Sequence, residues 1–264
     1  MPTIRQVTDY LETIAPSHLQ ESYDNAGLIV GDPAKEVTGI LTSLDCTEDI
    51  IEEAAARGCN VVVAHHPIVF RGLKRLNGAN YVERTVIRAI REDVAIYAIH
   101  TNLDNVRRHG VNERIADRLG LTGQRLLRPK SDDGTVGAGM VGELPEDVGE
   151  AAFLALLRER MGAAVVRHTP LLGARVRTVA VAGGAGGFLL ADAKRAGAQV
   201  FVTADYKYHE FFDADGEIVI CDIGHYESEQ FTTQLLAELL TKEFTTFAVL
   251  STERNTNPVR YYVG

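Results

Sequence analysis

Residues 60–70 read NVVVAHHPIVF, a run of valines followed directly by two histidines and a proline. The apolar run predicts a buried strand. Successive side chains on a strand point to opposite faces, so two histidines in extended geometry would diverge. Pro67 disfavours helix at the residue before it, and the chain must bend or stay extended there. The pair is compatible with one packed and one exposed histidine, or with two rings that converge on a common ligand.

Strand-like and helix-like segments alternate on both sides of this stretch. Apolar runs at 39–44, 60–64 and 94–99 are separated by segments with helical periodicity. A polar, glycine-rich segment near 122–134 predicts a domain boundary, and a long helix is predicted at about 226–243. We therefore expect an α/β protein with two α/β domains, each with a mixed sheet flanked by helices. The first domain is predicted over 1–125 plus about 224–264, and the second over about 126–223.

The bulk composition excludes several classes of protein. The chain has 264 residues, of which 45% are apolar and 24% charged, as in a soluble globular protein. No run of about 18 apolar residues is present, and the first residues do not resemble a signal peptide, so we expect no membrane span. The net charge of −9 argues against specific nucleic-acid binding. Three widely spaced cysteines without a CxxC motif indicate no disulfides and a cytoplasmic location.

Histidines and carboxylates follow three of the predicted strands. In open α/β sheets, ligands bind at the carboxyl ends of strands. A helix that starts near 225 would place the last histidine and carboxylate of this group, four residues apart, on one face. The residues at these strand ends are His65, His66, His100, Asp104, His225 and Glu229.

This set of side chains indicates a metal site. Imidazole and carboxylate suit zinc, iron, manganese or nickel, and the absence of thiolates argues against a structural zinc site of the cysteine type. Five or six ligands exceed the need of one tetrahedral ion. A bridging carboxylate would let them hold two divalent ions about 3.5–4 Å apart, the arrangement used in hydrolytic and phosphoryl chemistry. We therefore expect the two adjacent histidines to converge on metal.

The chain resembles the Nif-three-like dinuclear metal-centre proteins, also labelled GTP cyclohydrolase I type 2 homologs, over nearly its full length. The motifs that carry the resemblance are ESYDNAGLIVGDP (21–33), LTSLDCTEDIIEEA (41–54), VVVAHHPIVF (61–70), IHTNLD (99–104), VTADYKYHE (202–210) and DIGHYESE (222–229). The resemblance implies a dinuclear site in the interdomain cleft and a toroidal homohexamer. It implies these metal ligands: His65, His66, Asp104, His225 and Glu229.

Two further histidines are candidate catalytic residues. His100 is compatible with direct metal ligation, or with a role beside the ligands that faces substrate. His209 is the best candidate for a proton-transfer group, although a solvated surface histidine fits the sequence equally well. Asp205 would orient His209 or a metal ligand. Asp45 is expected to cap a helix together with Thr47.

The glycine-rich segment GGAGG at 183–187 allows two interpretations. It follows a strand and precedes a helix, so it could cradle a phosphate. It lacks the Walker lysine and a full GxGxxG pattern, which favours a tight turn between strand and helix.

Two functions from different classes fit these observations. The first is a dinuclear-metal-dependent hydrolase that resembles GTP cyclohydrolase or acts on other nucleotide or phosphoester substrates. The alternative is a metal-binding regulatory or scaffold protein without turnover.

Overall fold

The structure, a computed structural model, describes residues 1–262, which form two units, each around its own β-sheet. The strands are β1 (Gly27–Val30), β2 (Gly39–Ser43), β3 (Val61–Ala64), β4 (Ala95–Ala98), β5 (Thr122–Pro129), β6 (Gly137–Gly149), β7 (Arg167–His168), β8 (Arg175–Val181), β9 (Val200–Thr203), β10 (Val219–Asp222) and β11 (Ala248–Ser251). The α-helices are α1 (Ile4–Ile14), α2 (Glu48–Ala56), α3 (Tyr81–Arg91), α4 (Thr101–Asp104), α5 (Val111–Arg118), α6 (Glu150–Met161), α7 (Leu190–Arg195), α8 (His225–Glu229) and α9 (Thr232–Glu243).

Unit 1 comprises Met1–Leu103 and Thr232–Pro258 and contains a five-stranded sheet. The strand order is β1-β4-β3-β2-β11, with β1 antiparallel to β4 and the other pairs parallel. Every residue of β2, β3 and β4 is buried, as expected for parallel strands covered on both faces. Because β2, β3 and β4 are parallel, their carboxyl ends lie along one edge of the sheet.

Unit 2 comprises Asp104–Phe231 and the described residues 259–262, and it contains a six-stranded sheet. The strand order is β5-β6-β8-β9-β10-β7. Strands β8, β9 and β10 are parallel, and the remaining pairs are antiparallel. One segment follows the carboxyl end of each of these parallel strands. The glycine-rich segment at 183–187 follows β8, the segment that contains Asp205 follows β9, and helix α8 follows β10.

The predicted α/β class with two mixed sheets is confirmed. The units change over after Leu103 and after Phe231, whereas the sequence places the boundaries near 125 and 224. Helix α5 lies before the glycine-rich segment near 122–134, yet it packs on β6 and belongs to unit 2.

The predicted long helix at about 226–243 consists of two helices, α8 and α9. No glycine or proline marks the break at residues 230 and 231. At the break, the Gln230 side chain donates a hydrogen bond to the carbonyl oxygen of Met161 at 2.9 Å. This contact is between residues distant in the sequence, so the local pattern does not reveal it.

Two expectations from composition concern membranes and cysteines. Within residues 1–262, each helix is too short or too polar to span a membrane. Cys46, Cys59 and Cys221 are buried and are not joined in disulfides.

Candidate metal centre

Three histidines of unit 1 converge at the carboxyl ends of β3 and β4. The backbone N–H groups of His65 and His66 donate to the carbonyl oxygens of Ser43 and Leu44 at 3.1 and 2.9 Å. Two consecutive N–H groups therefore face the same neighbouring segment, so the backbone has left the alternating geometry of a strand. The ring centroids of His65, His66 and His100 lie 4.9 to 5.3 Å apart. The adjacent histidines thus converge, as the second interpretation of the sequence requires.

The Nδ1 atom of each of these histidines is hydrogen-bonded to an oxygen atom of unit 1. The distance is 2.8 Å in all three pairs, namely His65 with the carbonyl oxygen of Ile99, His66 with Asp45, and His100 with Asp24. An acceptor at Nδ1 favours the proton on that atom and leaves the lone pair on Nε2. One ring nitrogen of each histidine lies within 4.8 Å of those of the other two. This donor set fits a divalent metal ion.

The two carboxylates behind the histidines are themselves held in place. Asp24 accepts hydrogen bonds from the backbone N–H of Thr101, at 3.0 Å, and from the Thr101 hydroxyl. Asp45 accepts a hydrogen bond from the Thr256 hydroxyl at 2.6 Å. Burial alone would raise the pKa of Asp24, but hydrogen bonds from His100 and Thr101 and the charge of His100 hold this pKa below its usual range. Asp24 is therefore a carboxylate that can orient an imidazole.

Unit 2 brings together a second group of candidate ligands. One carboxylate oxygen of Asp104 and one of Glu229 lie within 4.8 Å of each other. Helix α8 begins at His225 and ends at Glu229, and Nε2 of the imidazole lies 3.0 Å from Oε2 of the carboxylate. This i, i+4 geometry is the one expected from the sequence. Nδ1 of His225 lies 2.7 Å from Oδ2 of Asp205, so Asp205 orients a candidate ligand.

The two carboxylates change the protonation of His225. Burial lowers the pKa of His225, but hydrogen bonds to Asp205 and Glu229 and their charges outweigh this effect and raise it to about 11. Without metal, His225 is therefore a protonated imidazole between two carboxylates. A metal ion that binds this histidine has to displace the proton.

The glycine-rich segment supports these ligands instead of cradling a phosphate. The backbone N–H groups of Gly183, Gly184 and Gly186 donate to the side-chain oxygens of Asn112, Ser228 and Thr203, each at 3.0 Å. A Cβ atom on Gly184 would lie 2.6 Å from Oε1 of Glu229, so the glycine allows the backbone to pass close to this carboxylate. The segment is a tight turn whose amides are used inside unit 2.

The two candidate catalytic histidines have different surroundings. His100 belongs to the three-histidine cluster of unit 1. His209 is exposed, and its ring stacks on Phe212 with centroids 6.3 Å apart and contacts Tyr208 at 5.1 Å. Asp205, expected to orient His209 or a metal ligand, is hydrogen-bonded to His225. The catalytic role of His209 stays a prediction.

Sequence reasoning missed the side chains that hold the ligands. The expectation that Asp45 caps helix α2 is wrong, because Asp45 bonds His66 and Thr47 alone occupies the N-cap position. The sequence does not identify Asp24 as the partner of His100. In unit 2, Asn112 donates to the carbonyl oxygen of Asp104 at 3.0 Å. A signal for the role of Asp45 was present in the sequence. Asp45 lies just beyond the end of β2, and β2 is the neighbour of β3 in the sheet.

Comparison with known proteins confirms the resemblance. The model of the Duf34/NIF3 (NGG1p interacting factor 3) family matches residues 2–258. A Clostridium perfringens protein named GTP cyclohydrolase 1 type 2 homolog is 33% identical over 227 residues, covering 86% of both chains. A Lactococcus lactis protein of the same name is 30% identical over 264 residues, covering 96% of this chain and 98% of the relative.

Solved structures agree with this result. A Staphylococcus aureus hypothetical protein matches with a TM-score of 0.92 and 29% identity, covering 98% of this chain and 99% of the other. A Bacillus cereus protein related to NIF3 shares the fold with a TM-score of 0.91, at 24% identity and 99% coverage of both chains. The chain therefore belongs to the Duf34/NIF3 family.

Proposed function

We propose that the protein is a dinuclear-metal-dependent hydrolase that acts on nucleotides or other phosphoesters. The observation that carries this proposal is the three-histidine cluster of unit 1. Each Nδ1 there is hydrogen-bonded to an oxygen atom, and a ring nitrogen of each histidine lies within 4.8 Å of the others. Oriented imidazoles of this kind are typical of metal ligands.

We infer that the candidate ligands hold two divalent ions per chain. The proposed ligands are His65, His66, Asp104, His225 and Glu229, with His100 as a further ligand or a group that faces substrate. Zinc, iron, manganese and nickel all fit nitrogen and oxygen donors. The order of these residues in the family motifs supports the assignment.

The chain's own residues provide orientation and charge. Divalent ions, when bound, polarise a substrate oxygen and lower the pKa of a bound water towards about 7. Asp24, Asp45 and Asp205 orient the imidazoles, and Asp104 and Glu229 supply negative charge that balances the cations. His209, in the segment that follows Asp205, is the proposed proton-transfer group. The name of the relatives, GTP cyclohydrolase 1 type 2 homolog, makes GTP the first compound to test.

An activity screen tests this proposal. Metal-reconstituted protein is incubated with nucleotides and phosphoesters, alongside Glu229→Gln as a ligand variant of nearly equal size. We expect turnover of at least one compound by the wild type and its loss in the variant. No turnover of any compound with zinc, iron, manganese or nickel would contradict the hydrolase.

A metal-binding scaffold is the second candidate, and one feature of unit 2 favours it. Tyr208 and Phe212 are 73% and 67% exposed and lie side by side with ring centroids 5.7 Å apart. Exposed aromatic residues are enriched at protein interfaces, and the family description names an interacting factor. A centre whose metals keep no open coordination position would favour the scaffold. A position filled by water or a phosphate-like anion would favour the enzyme.

We further propose that the protein is a homohexamer in the cytoplasm. The family resemblance supports the assembly. Three buried cysteines outside any disulfide support a reducing compartment.

A further inference from the structure

The loop that follows the two adjacent histidines carries three cations and no carboxylate. We call residues 70–77 the basic loop. Arg71, Lys74 and Arg75 are all exposed, and residues 67–79 include no aspartate or glutamate. Within residues 1–262 none of the three makes an ion pair, whereas two arginines of the following helix α3 pair with carboxylates of α2. A local charge of +3 on a chain of net charge −9 is a concentrated positive patch.

The N-terminal end of the basic loop contacts the three-histidine cluster. The ring of Phe70 contacts the ring of His100 edge-on, with centroids 5.7 Å apart at 80°. The carbonyl oxygen of Val69 accepts a hydrogen bond from Asn25 at 2.6 Å, next to the carboxylate of Asp24 that orients His100. The loop therefore begins beside the candidate metal ligands of unit 1.

The second end of the basic loop is fixed at the start of helix α3. Glu83 accepts hydrogen bonds from the backbone N–H groups of Asn77 and Ala79, both at 3.0 Å. The Glu83 carboxylate is therefore occupied by hydrogen bonds from backbone N–H groups. Its amide partners hold the pKa of Glu83 below its usual range, and Glu83 makes no ion pair with the three cations among the described residues.

We propose that the basic loop binds the phosphate groups of a small substrate whose reacting part lies at the three-histidine cluster. Arginine suits phosphate because its planar guanidinium donates two parallel hydrogen bonds, and lysine adds a point charge. The charge of the loop matches that of a nucleoside di- or triphosphate. The half-exposed ring of Phe70 offers an apolar surface between the phosphate site and His100. This inference rests on the proposed function only in assigning the histidine cluster as the reacting end.

The size of the patch favours a small ligand over a nucleic acid or a membrane. Proteins that bind duplex DNA through its backbone typically contact about 6–10 phosphates. Basic segments that bind anionic lipid carry about 4–8 lysines and arginines. Three cations within five residues fall below both ranges but suffice for the phosphates of one nucleotide.

The test compares nucleotide binding by the metal-loaded wild type and two triple variants, using calorimetry with GTP and with guanosine. The loop variant is Arg71→Gln/Lys74→Gln/Arg75→Gln. The control variant is Arg5→Gln/Arg91→Gln/Arg254→Gln, which removes three exposed arginines from elsewhere in unit 1. Circular dichroism and metal analysis confirm that fold and metal content are equal. A 20-nucleotide single-stranded DNA and phosphatidylserine vesicles serve as rival ligands.

We expect the loop variant to bind GTP at least tenfold more weakly than the wild type, with guanosine binding and metal content unchanged. The control variant should bind GTP as the wild type does. The inference would be overturned if the wild type and the loop variant bind GTP with equal affinity. It would also be overturned if the control variant loses as much GTP affinity as the loop variant, or if the wild type does not bind GTP. Tighter loop-dependent binding of DNA or vesicles than of GTP would also overturn it. Loop-dependent GTP binding without turnover of any compound would refute the hydrolase alone and leave the phosphate site standing.

Discussion

The imidazoles of unit 1 are oriented by oxygen atoms that lie far from them in the sequence. Asp45 precedes His66 by 21 residues, and Asp24 precedes His100 by 76. The histidines themselves could be predicted, because they directly follow apolar strand patterns. Their partners could not, because only the order of strands in the sheet brings these carboxylates next to the rings.

Removal of the Asp45 carboxylate should weaken metal binding without unfolding unit 1. In Asp45→Ala, the His66 ring loses the acceptor that fixes its tautomer and orientation. The loss of such a partner typically reduces metal affinity about 10–100-fold. Competition with a chelator measures the affinity, and circular dichroism checks the fold. Asp49→Ala, at an exposed position of helix α2, is the control, and equal affinities in the two variants would refute the role of Asp45.

At the scale of elements, the strands were predictable and the turns at their ends only in part. The predicted runs at 39–44, 60–64 and 94–99 correspond to β2, β3 and β4 within one residue at each end. Their apolar character follows from burial in a parallel sheet, which the sequence records directly. The division between α8 and α9 and the partners of the glycine-rich segment depend on tertiary contacts, which leave no local pattern.

The glycine-rich turn should tolerate a methyl group at one glycine and not at another. Gly184 has φ +57° and a Cβ there would lie 2.6 Å from Glu229. We expect Gly184→Ala to lower the free energy of unfolding by about 1–2 kcal/mol for the left-handed backbone alone, and to weaken metal binding. In Gly187→Ala the nearest atom, on Tyr206, would be 3.4 Å away, so this control should change little. Thermal unfolding and metal analysis of both variants provide the comparison.

Helix α2 and the segment after β11 are joined through Glu53, and this contact should depend on pH. Burial alone would raise the pKa of Glu53, but hydrogen bonds from Thr252, the backbone of Glu253 and Arg57 hold it below its usual range. The folded-state pKa lies below the unfolded value. The stabilisation is therefore present above the unfolded pKa of about 4.3 and is lost as pH falls through the folded pKa.

We expect Glu53→Gln to lower the free energy of unfolding by about 1–2 kcal/mol at pH 7. The difference from the wild type should shrink below about pH 4. Urea unfolding at pH 7 and pH 3.5 measures both values. Glu52→Gln removes a neighbouring carboxylate whose side chain is 53% exposed and paired with Arg88, and it should lower the free energy of unfolding much less. If the free energies of unfolding of the wild type and Glu53→Gln differ by the same amount at both pH values, the stabilising role of the Glu53 carboxylate is refuted.

For the whole molecule, the family resemblance implies a hexameric ring, and we predict this assembly for the protein. Light scattering at micromolar concentration should give about six times the mass of the 28.8 kDa chain. Metal removal with a chelator, followed by the same measurement, tells whether the assembly depends on the centre. A monomer in both conditions would refute the proposed hexamer.

The candidate ligands are polar and differ in kind from the apolar residues that stabilise the fold. The buried core of unit 1 consists of residues such as Leu41, Ile50, Val62 and Ile96, and that of unit 2 includes Phe201 and Ile220. These apolar side chains provide most of the favourable free energy of folding. Loss of one ligand should therefore remove metal while both cores remain intact.

We predict that the wild type binds two metal ions per chain, and that Asp104→Ala and Glu229→Ala fold at 25 °C but lose at least one ion and all hydrolytic activity. In the metal-free protein, Asp104 and Glu229 lie close together, so removal of either relieves repulsion between like charges. The metal-free wild type should stay folded and melt at a lower temperature, because ions that bind only the native state stabilise it by mass action.

Circular dichroism, elemental analysis and the activity assay on the same preparations test these expectations together. If either variant is unfolded, the centre is required for folding, and the hydrolase proposal loses its main support. If both variants fold, lose metal and retain full activity, the reaction takes place elsewhere in the molecule. A wild type that binds no more than one ion per chain at saturation would contradict the dinuclear centre, while the three-histidine cluster of unit 1 would still account for a single ion.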